Sequence, residues 1–160
     1  MAKAHSMPLA LLPPREPRSS TAPPRVLIAD GSPRVRDALR RLLADEGMEV
    51  AFEAGDGPSA VAAARRVRPD VALVDVRLPG LDGLSVTRRI TAWTEVVICT
   101  ALAGPAVEEQ AARAGAVAVV AKGSHPRLLV GAVRRALSHG PDPAAGLPRA
   151  AGKEAAPSHM

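Results

Sequence analysis

Residues 25–54 read RVLIADGSPRVRDALRRLLADEGMEVAFEA: a short apolar run, a helical stretch and a second short run. The first run, at 25–30, is typical of a strand that is buried on both faces. Ser32 is a candidate N-cap before Pro33 at the first helical position, and Gly47 stands where a helix usually stops. The apolar residues between these signals recur at helical spacing on one face: Val35, Leu39, Leu42 and Leu43.

The same alternation continues to residue 137. Strands are predicted at 49–54, 71–75, 95–100 and 116–121, and helices at 59–67, near 84–92, from about Pro105 to Ala114, and at 125–137. Alternating units with such strands predict an α/β fold, in which helices cover both sides of a parallel sheet. Right-handed crossovers then favour a doubly wound five-stranded sheet in the order 2-1-3-4-5. Ligands of such sheets bind outside the carboxyl ends of the strands, here between strands one and three.

The composition limits the functions that are open to this chain of 160 residues. Phe52 and Trp93 are the only aromatic residues, which disfavours binding by ring stacking, as on single-stranded nucleic acid. The net charge is +5, but both signs are mixed along the chain, and this does not indicate a basic stripe for phosphate backbones. The single cysteine, Cys99, lies in an apolar run and indicates a buried free thiol in a reducing compartment.

The two ends of the chain differ in composition from its middle. Residues 1–24 are rich in Pro, Arg and Ser, and residues 139–160 are rich in Pro, Ala and Gly, without apolar periodicity in either segment. We expect two disordered tails around one domain at 25–138. The first residues lack the apolar core of a signal peptide, and no run reaches the roughly 18 apolar residues of a membrane span. The expectation is a soluble, cytoplasmic protein without a membrane partner.

Polar residues stand at the carboxyl ends of four predicted strands: Asp30, Asp75, Thr100 and Lys122. Two carboxylates that face each other need a proton or a cation between them. Mg²⁺ meets this need through carboxylates, a carbonyl and waters, and Arg77 in the loop after Asp75 is the natural carbonyl donor. Asp75 is then placed to act as a nucleophile and form an aspartyl phosphate. Lys122 supplies a point charge to the phosphoryl oxygens, and Thr100 supplies a hydroxyl hydrogen bond.

Each of these residues also has an ordinary interpretation. Asp30 is suited to cap the helix that follows it, Thr100 is a common strand residue, and Lys122 is a typical solvated loop cation. Taken singly, the ordinary interpretation is favoured for each. The functional hypothesis depends on their convergence at one edge of the sheet.

Four segments closely resemble the receiver domain of two-component response regulators: VLIADGSP at 26–33, LVDVRLPGLDGL at 73–84, CTA at 99–101 and AVVAKGSHPRLL at 118–129. The resemblance covers about Arg25 to Leu137. It implies a flavodoxin-like receiver fold with Asp75 as the phosphoacceptor and Asp30 in the acidic pocket, which with Asp75 and the Arg77 carbonyl would hold Mg²⁺. It also implies Thr100 as the switch hydroxyl and Lys122 as the phosphoryl-binding lysine. The implied partners are a sensor histidine kinase or phosphotransfer protein, a downstream protein target, and a second copy bound through the last helix–strand–helix face.

The sequence departs from the family pattern at three positions. Gly31 stands where a second acidic residue is usual, and the missing charge should weaken Mg²⁺ binding. Gly123 replaces the proline that usually follows the lysine, so the usual cis peptide bond is not expected. Val119 replaces the aromatic residue that commonly reports the switch.

The leading hypothesis is a stand-alone switch that is phosphorylated on Asp75 and is not an enzyme in its own right. Its rival is a degenerate receiver that binds partners independently of phosphate, because Gly31 marks a loss of metal chemistry. A flavodoxin-like redox domain is disfavoured because it needs a hydroxyl-rich phosphate loop and flanking aromatic residues. No periodic apolar pattern that would indicate a helix-turn-helix follows residue 138, so direct DNA binding is not predicted.

Overall fold

The computed structural model describes Ser19 and residues 21–139, and most of the two predicted tails lies outside these residues. Within them the chain alternates between five strands and five helices. The strands are β1 (Arg25–Ala29), β2 (Glu49–Ala54), β3 (Val71–Val74), β4 (Glu95–Thr100) and β5 (Ala118–Ala121). The helices are α1 (Pro33–Asp45), α2 (Gly57–Val67), α3 (Gly83–Ile90), α4 (Pro105–Ala114) and α5 (Pro126–His139). The strands form one parallel sheet in the order β2-β1-β3-β4-β5, which confirms the predicted topology.

The sheet carries an apolar cluster on each face because successive strand residues point to opposite sides. Val26 and Ile28 of β1 pack towards α1 and α5, whereas Leu27 and Ala29 pack towards α2, α3 and α4. Branched aliphatic side chains dominate the first cluster, whereas alanines make up half of the buried residues in the second. The central strands β1, β3 and β4 are almost entirely buried, as expected for a parallel sheet that is covered on both faces.

Three helices begin at side chains that accept a hydrogen bond from the first turn. Ser32 accepts from the Val35 N–H at 3.4 Å, and this N-cap agrees with the prediction. Asp56 accepts from the Ser59 N–H at 2.7 Å, so α2 begins two residues before the predicted position 59. Asp82 accepts from the Ser85 N–H at 3.0 Å and starts α3 at Gly83, where a helix was expected only near 84–92.

Strand β5 begins two residues later than the prediction of 116–121. The reason is the end of α4, where Gly115 adopts φ 102° and the Ala116 N–H donates to the Ala111 carbonyl at 2.9 Å. This helix stop uses the backbone of Ala116, which therefore cannot join the ladder with β4. The last helix begins at Pro126 and reaches His139, two residues past its predicted end at 137.

Two glycines allow close contacts between backbone segments near the carboxyl edge of the sheet. A Cβ atom on Gly83 would lie 1.9 Å from the Asp75 carbonyl oxygen, and one on Gly57 would lie 2.1 Å from the Leu81 carbonyl oxygen. The Gly83 N–H also donates to the Val76 carbonyl at 2.7 Å. The start of α3 is thereby fixed against the backbone that carries Asp75.

Both aromatic residues lie beneath arginines of α2. The guanidinium carbon of Arg65 is 5.6 Å from the centroid of the Trp93 ring, and that of Arg66 is 5.4 Å from the centroid of the Phe52 ring. These distances fall within the range of cation–π contacts. The two rings belong to the apolar layer around α2 and take no part in the carboxyl edge of the sheet.

Candidate functional site

The carboxyl edge of the sheet holds a compact cluster of three charged side chains. The Lys122 Nζ atom lies 2.6 Å from Asp30 Oδ2 and 2.7 Å from Asp75 Oδ2. The exposed fraction of the side chain is 4% for Asp30, 11% for Asp75 and 23% for Lys122. Parallel strands thus bring together residues that are distant in the sequence. Asp75 and Lys122, for example, are 47 positions apart.

Backbone hydrogen bonds extend the sheet by one residue at each of these positions. The Asp30 N–H donates to the Ala54 carbonyl at 3.0 Å, and the Asp75 N–H donates to the Ala29 carbonyl at 2.9 Å. The Lys122 N–H donates to the Thr100 carbonyl at 2.9 Å. The charged side chains are therefore carried by backbone that the sheet holds in place, although each residue follows its strand.

Each carboxylate divides its two oxygens between the local turn and Lys122. Asp30 Oδ1 accepts from the Ser32 N–H at 2.8 Å, and Asp75 Oδ1 accepts from the Arg77 N–H at 3.3 Å. The Oδ2 atoms of both residues face the lysine ammonium. Asp30 stabilises the turn before α1, but Ser32 is the N-cap, so the capping interpretation does not account for the Asp30–Lys122 contact.

Arg36 is a supporting residue that the sequence interpretation missed. Its Nη1 atom donates to the Asp30 carbonyl at 2.7 Å, and its Nε atom lies 3.8 Å from Glu53 Oε1. The guanidinium thus links the end of β1 to β2. Its position six residues after Asp30 is a weak signal, because charged residues are common throughout α1.

Thr100 lies at the same edge, at the end of β4, and is fully buried. Its hydroxyl oxygen accepts a hydrogen bond from the Leu102 N–H at 3.3 Å. The residue that follows it, Ala101, is exposed. The structure therefore brings Asp30, Asp75 and Lys122 into contact and places Thr100 beside them, with its hydroxyl bonded to the turn before α4.

The three charges of the cluster determine its electrostatics. Burial alone would lower the pKa of Lys122, but the hydrogen bonds and negative charges of Asp30 and Asp75 outweigh it and raise the pKa above its ordinary value. Lys122 is therefore a cation at neutral pH. With two carboxylates and one ammonium, the cluster keeps a net negative charge.

The donor atoms at this edge suit a hard cation. Asp30 Oδ2 and Asp75 Oδ2 both approach one point, which Lys122 Nζ occupies, and magnesium prefers oxygen ligands of this kind. Among the residues that the structure describes, no group of three or more His, Cys, Asp or Glu side chains converges on a metal position. Gly31 accounts for the missing third carboxylate, but a Cβ atom there would meet nothing closer than 3.6 Å, at Pro79 Cδ.

The other two departures from the resembled pattern are also visible. Gly123 adopts φ 86°, and the peptide bonds of the described residues are all trans. Val119 is half-buried and packs against the apolar cluster of α2, α3 and α4. No helix within residues 21–139 is long and apolar enough to cross a lipid bilayer.

Comparisons with known proteins agree with the fold described above. The model of the family described as response regulator receiver domain matches residues 26–134. A protein-glutamate methylesterase/protein-glutamine glutaminase of Anaeromyxobacter dehalogenans is 44% identical over 120 residues, which are 72% of this chain and 32% of the relative. The transcriptional regulatory protein PdtaR of Mycobacterium tuberculosis is 34% identical over 127 residues, which are 78% of this chain and 62% of the relative. The chain thus spans less than two thirds of either protein.

Solved structures show the same fold. A two-component response regulator of the LuxR family from Aurantimonas sp. SI85-9A1 superposes with a TM-score of 0.70 at 34% identity, covering 74% of this chain and 87% of that one. The response regulator domain of Thermotoga maritima CheB gives a TM-score of 0.68 at 28% identity, covering 73% of this chain and 98% of that one.

Proposed function

This chain belongs to the response regulator receiver domain family, and on that premise we propose that Asp75 accepts a phosphoryl group from a histidine kinase or phosphotransfer protein. The observation that carries the proposal is the contact of Lys122 with both Asp30 and Asp75 at the carboxyl edge of the sheet. Ligands of doubly wound sheets bind at this edge, next to the point where the strand order reverses. That point lies between β1 and β3, which carry the two aspartates.

The proposed reaction is a phosphoryl transfer between side chains. A carboxylate oxygen of Asp75 forms a bond to phosphorus while the bond between phosphorus and the donor imidazole nitrogen breaks, and the imidazole leaves with the electron pair and takes up a proton. The product is an acyl phosphate on Asp75. Lys122 neutralises charge on the phosphoryl oxygens, since its ammonium already lies 2.7 Å from the acceptor carboxylate.

We infer that Asp30, Asp75 and the Arg77 carbonyl would hold Mg²⁺ when the domain is active. The ion would offset the negative charge of the incoming phosphoryl group. With Gly31 in place of an acidic side chain, only Asp30 and Asp75 contribute carboxylates. We therefore expect weak magnesium binding and a requirement for free Mg²⁺ well above that of a three-carboxylate pocket.

The proposed response to phosphorylation passes through Thr100. Its hydroxyl cannot keep accepting from the Leu102 N–H in the present turn if it moves to bind a phosphoryl oxygen. The exposed residues at 101–103 would then rearrange ahead of α4. We propose that α4, β5 and α5 form the responsive face for a downstream protein or a second copy of the chain, without an aromatic residue at position 119.

As the wider role, we propose a cytoplasmic receiver at 25–138 that acts as a phosphoacceptor signalling domain. The relatives carry such a domain as part of longer chains. The rival role is a degenerate receiver that binds its partner without phosphate. Gly31 favours this rival, because two carboxylates that already share the Lys122 ammonium, without a third carboxylate, attract a divalent cation weakly.

One experiment separates the two roles. The full chain is incubated with acetyl phosphate and Mg²⁺, and the intact mass is compared with that of the Asp75→Asn variant. An added phosphoryl mass that is absent from the variant and is removed by hydroxylamine supports phosphorylation of Asp75. No added mass with acetyl phosphate at high Mg²⁺, or with a phosphorylated histidine kinase, favours the degenerate role.

A further inference from the structure

A cavity of about 310 Å³ opens between α1 and the loop from β5 to α5. It lies on the face of the sheet that α1 and α5 cover, and Lys122 is the member of the carboxylate-edge cluster that lines it. Aliphatic side chains form most of its wall: Val35, Ala38, Leu39, Leu42, Val120 and Leu129. The thiol-bearing residue Cys99 also lines it, and only 7% of that residue is exposed.

The charged residues that line this cavity are all basic. Arg34 and Lys122 line it, together with Ser124, and no acidic residue is among its lining residues. Lys122 is already neutralised by Asp30 and Asp75, and the Ser124 hydroxyl donates to the Ala121 carbonyl. No salt bridge joins Arg34 to another described residue, and its side chain is exposed at the start of α1. The cavity therefore pairs an apolar interior with a cationic rim.

The size and charge of the cavity define a class of ligand. A cavity of about 150 Å³ holds one benzene molecule, and small-molecule sites start at about 300 Å³. We propose that this cavity binds a small apolar carboxylic acid of about two fused rings, with its body among the aliphatic side chains and its carboxylate beside Arg34. An acid is favoured over a neutral apolar compound because its carboxylate is attracted to the positively charged guanidinium of Arg34.

Lys122 joins this cavity to the aspartates, because its side chain lines the cavity and its ammonium contacts Asp75. A ligand in the cavity would restrict the position of Lys122. The bound acid should therefore change the rate at which Asp75 is phosphorylated. This coupling rests on the proposed function, whereas ligand binding does not.

The single cysteine of the chain allows binding to be measured directly. We would follow alkylation of Cys99 by N-ethylmaleimide in the full chain, by intact mass, with and without 2-naphthoate. Burial raises the pKa of Cys99 to about 11, so the reaction needs mildly alkaline buffer to proceed at a useful rate. At a probe concentration ten times Kd, alkylation should slow about tenfold, because only the free protein reacts. Amide shifts of Val120 and Gly123 would report the same Kd.

Two matched pairs of variants test the site. Ala38→Phe fills the mouth of the cavity and should abolish the protection of Cys99, whereas Ala44→Phe, on an exposed part of the same helix, should keep it. Arg34→Gln should weaken 2-naphthoate about tenfold and leave the neutral 2-naphthylmethanol unchanged, since it removes only the charge partner. Arg41→Gln, elsewhere on α1, should leave both ligands unchanged.

Several outcomes would overturn the proposal. It fails if 2-naphthoate at its solubility limit neither slows Cys99 alkylation nor shifts the lining amides, or if Ala38→Phe keeps the protection. If the neutral alcohol binds as well as the acid, the assignment to a carboxylic acid fails. If only a histidine kinase fragment protects Cys99, the cavity is a protein-docking groove and the ligand proposal fails. Binding without any change in the phosphorylation of Asp75 rejects the coupling alone.

Discussion

Lys122 Nζ lies 2.7 Å from Asp75 Oδ2 and at nearly the same distance from Asp30 Oδ2, so one ammonium group is shared by two carboxylates. Either aspartate alone would leave the lysine with a simple ion pair. Together they form a three-residue cluster in which the removal of any member changes the charge balance of the other two. This dependence leads to the first prediction.

Lys122→Gln should lower the free energy of unfolding at neutral pH by about 1–3 kcal/mol, because it leaves two buried carboxylates facing each other. The loss stays below that of a fully buried pair, since the lysine side chain is 23% exposed. Urea denaturation followed by circular dichroism measures it, with Arg135→Gln on the exposed surface of α5 as the control. Adding Asp30→Asn should recover part of the loss, and a double variant with merely additive losses would contradict the shared cluster.

The pH dependence of this cluster follows from the raised pKa of Lys122. A cation whose pKa is higher in the folded state contributes stability that is complete below its unfolded value of about 10.5 and is lost as the pH rises through the folded value. The stability difference between wild type and Lys122→Gln should therefore stay constant through neutral pH and shrink in strongly alkaline buffer. A difference that already shrinks near pH 8 would contradict this assignment.

Gly31→Asp should tighten Mg²⁺ binding by about tenfold, or 1.4 kcal/mol, because it adds a third carboxylate to the edge. The backbone at Gly31 is not in the left-handed region, and a Cβ atom there has ordinary contact distances. Isothermal titration with MgCl₂ measures the change. Gly31→Asn is the isosteric control, and equal affinities for the Asp and Asn variants would show that the added charge does not reach the ion.

Gly83→Ala should destabilise the fold by about 1–3 kcal/mol and slow the phosphorylation of Asp75, because its Cβ atom would collide with the Asp75 carbonyl oxygen. Gly131→Ala is the matched control within α5. Its Cβ atom meets nothing within 4 Å, and alanine favours a helix by about 0.5–1 kcal/mol over glycine. Thermal unfolding and the rate of acetyl phosphate labelling compare the two. An unchanged labelling rate in Gly83→Ala would show that this contact does not affect the phosphorylation of Asp75.

Asp82→Ala should cost about 1 kcal/mol of stability at neutral pH through loss of the α3 N-cap, whereas Asp82→Asn should stay close to wild type. Hydrogen bonds from the Ser85 hydroxyl and N–H lower the pKa of Asp82, so its contribution is present above its ordinary value of 3.8 and is lost as the pH falls through the folded value. Acid denaturation should therefore close the gap between wild type and Asp82→Ala but not the gap between Asn and Ala. Equal stability of the Asn and Ala variants at neutral pH would exclude the cap.

The sequence predicts the sheet well because buried parallel strands are continuous apolar runs with few alternatives. It also predicts which residues meet at the carboxyl edge, since Asp30, Asp75 and Lys122 follow their strands directly. The ends of helices and strands are harder to predict where a glycine is required by a close contact with another part of the chain. Gly57 is typical of a loop but lies in α2, because only glycine fits beside the Leu81 carbonyl.

The orientation of individual side chains could not be predicted from the sequence. The hydroxyl of Thr100 could face the acceptor or the next turn, and the choice depends on backbone geometry that composition does not encode. Arg36 shows the same limit, because nothing in its local pattern separates it from its charged neighbours on α1. Strand β5 starts late because the Ala116 N–H bonds to the end of α4. The pattern of apolar residues in the strand does not show this hydrogen bond.

The position of Trp93, whose ring contacts Arg65, has a practical consequence for experiments. This single tryptophan precedes β4, whereas Asp75 follows β3, and in parallel strands these positions lie at opposite ends of the sheet. Its fluorescence should follow global unfolding yet stay silent when the acceptor changes. Emission intensity can therefore serve as an internal gauge of folded protein while mass spectrometry counts phosphoryl groups in the same sample.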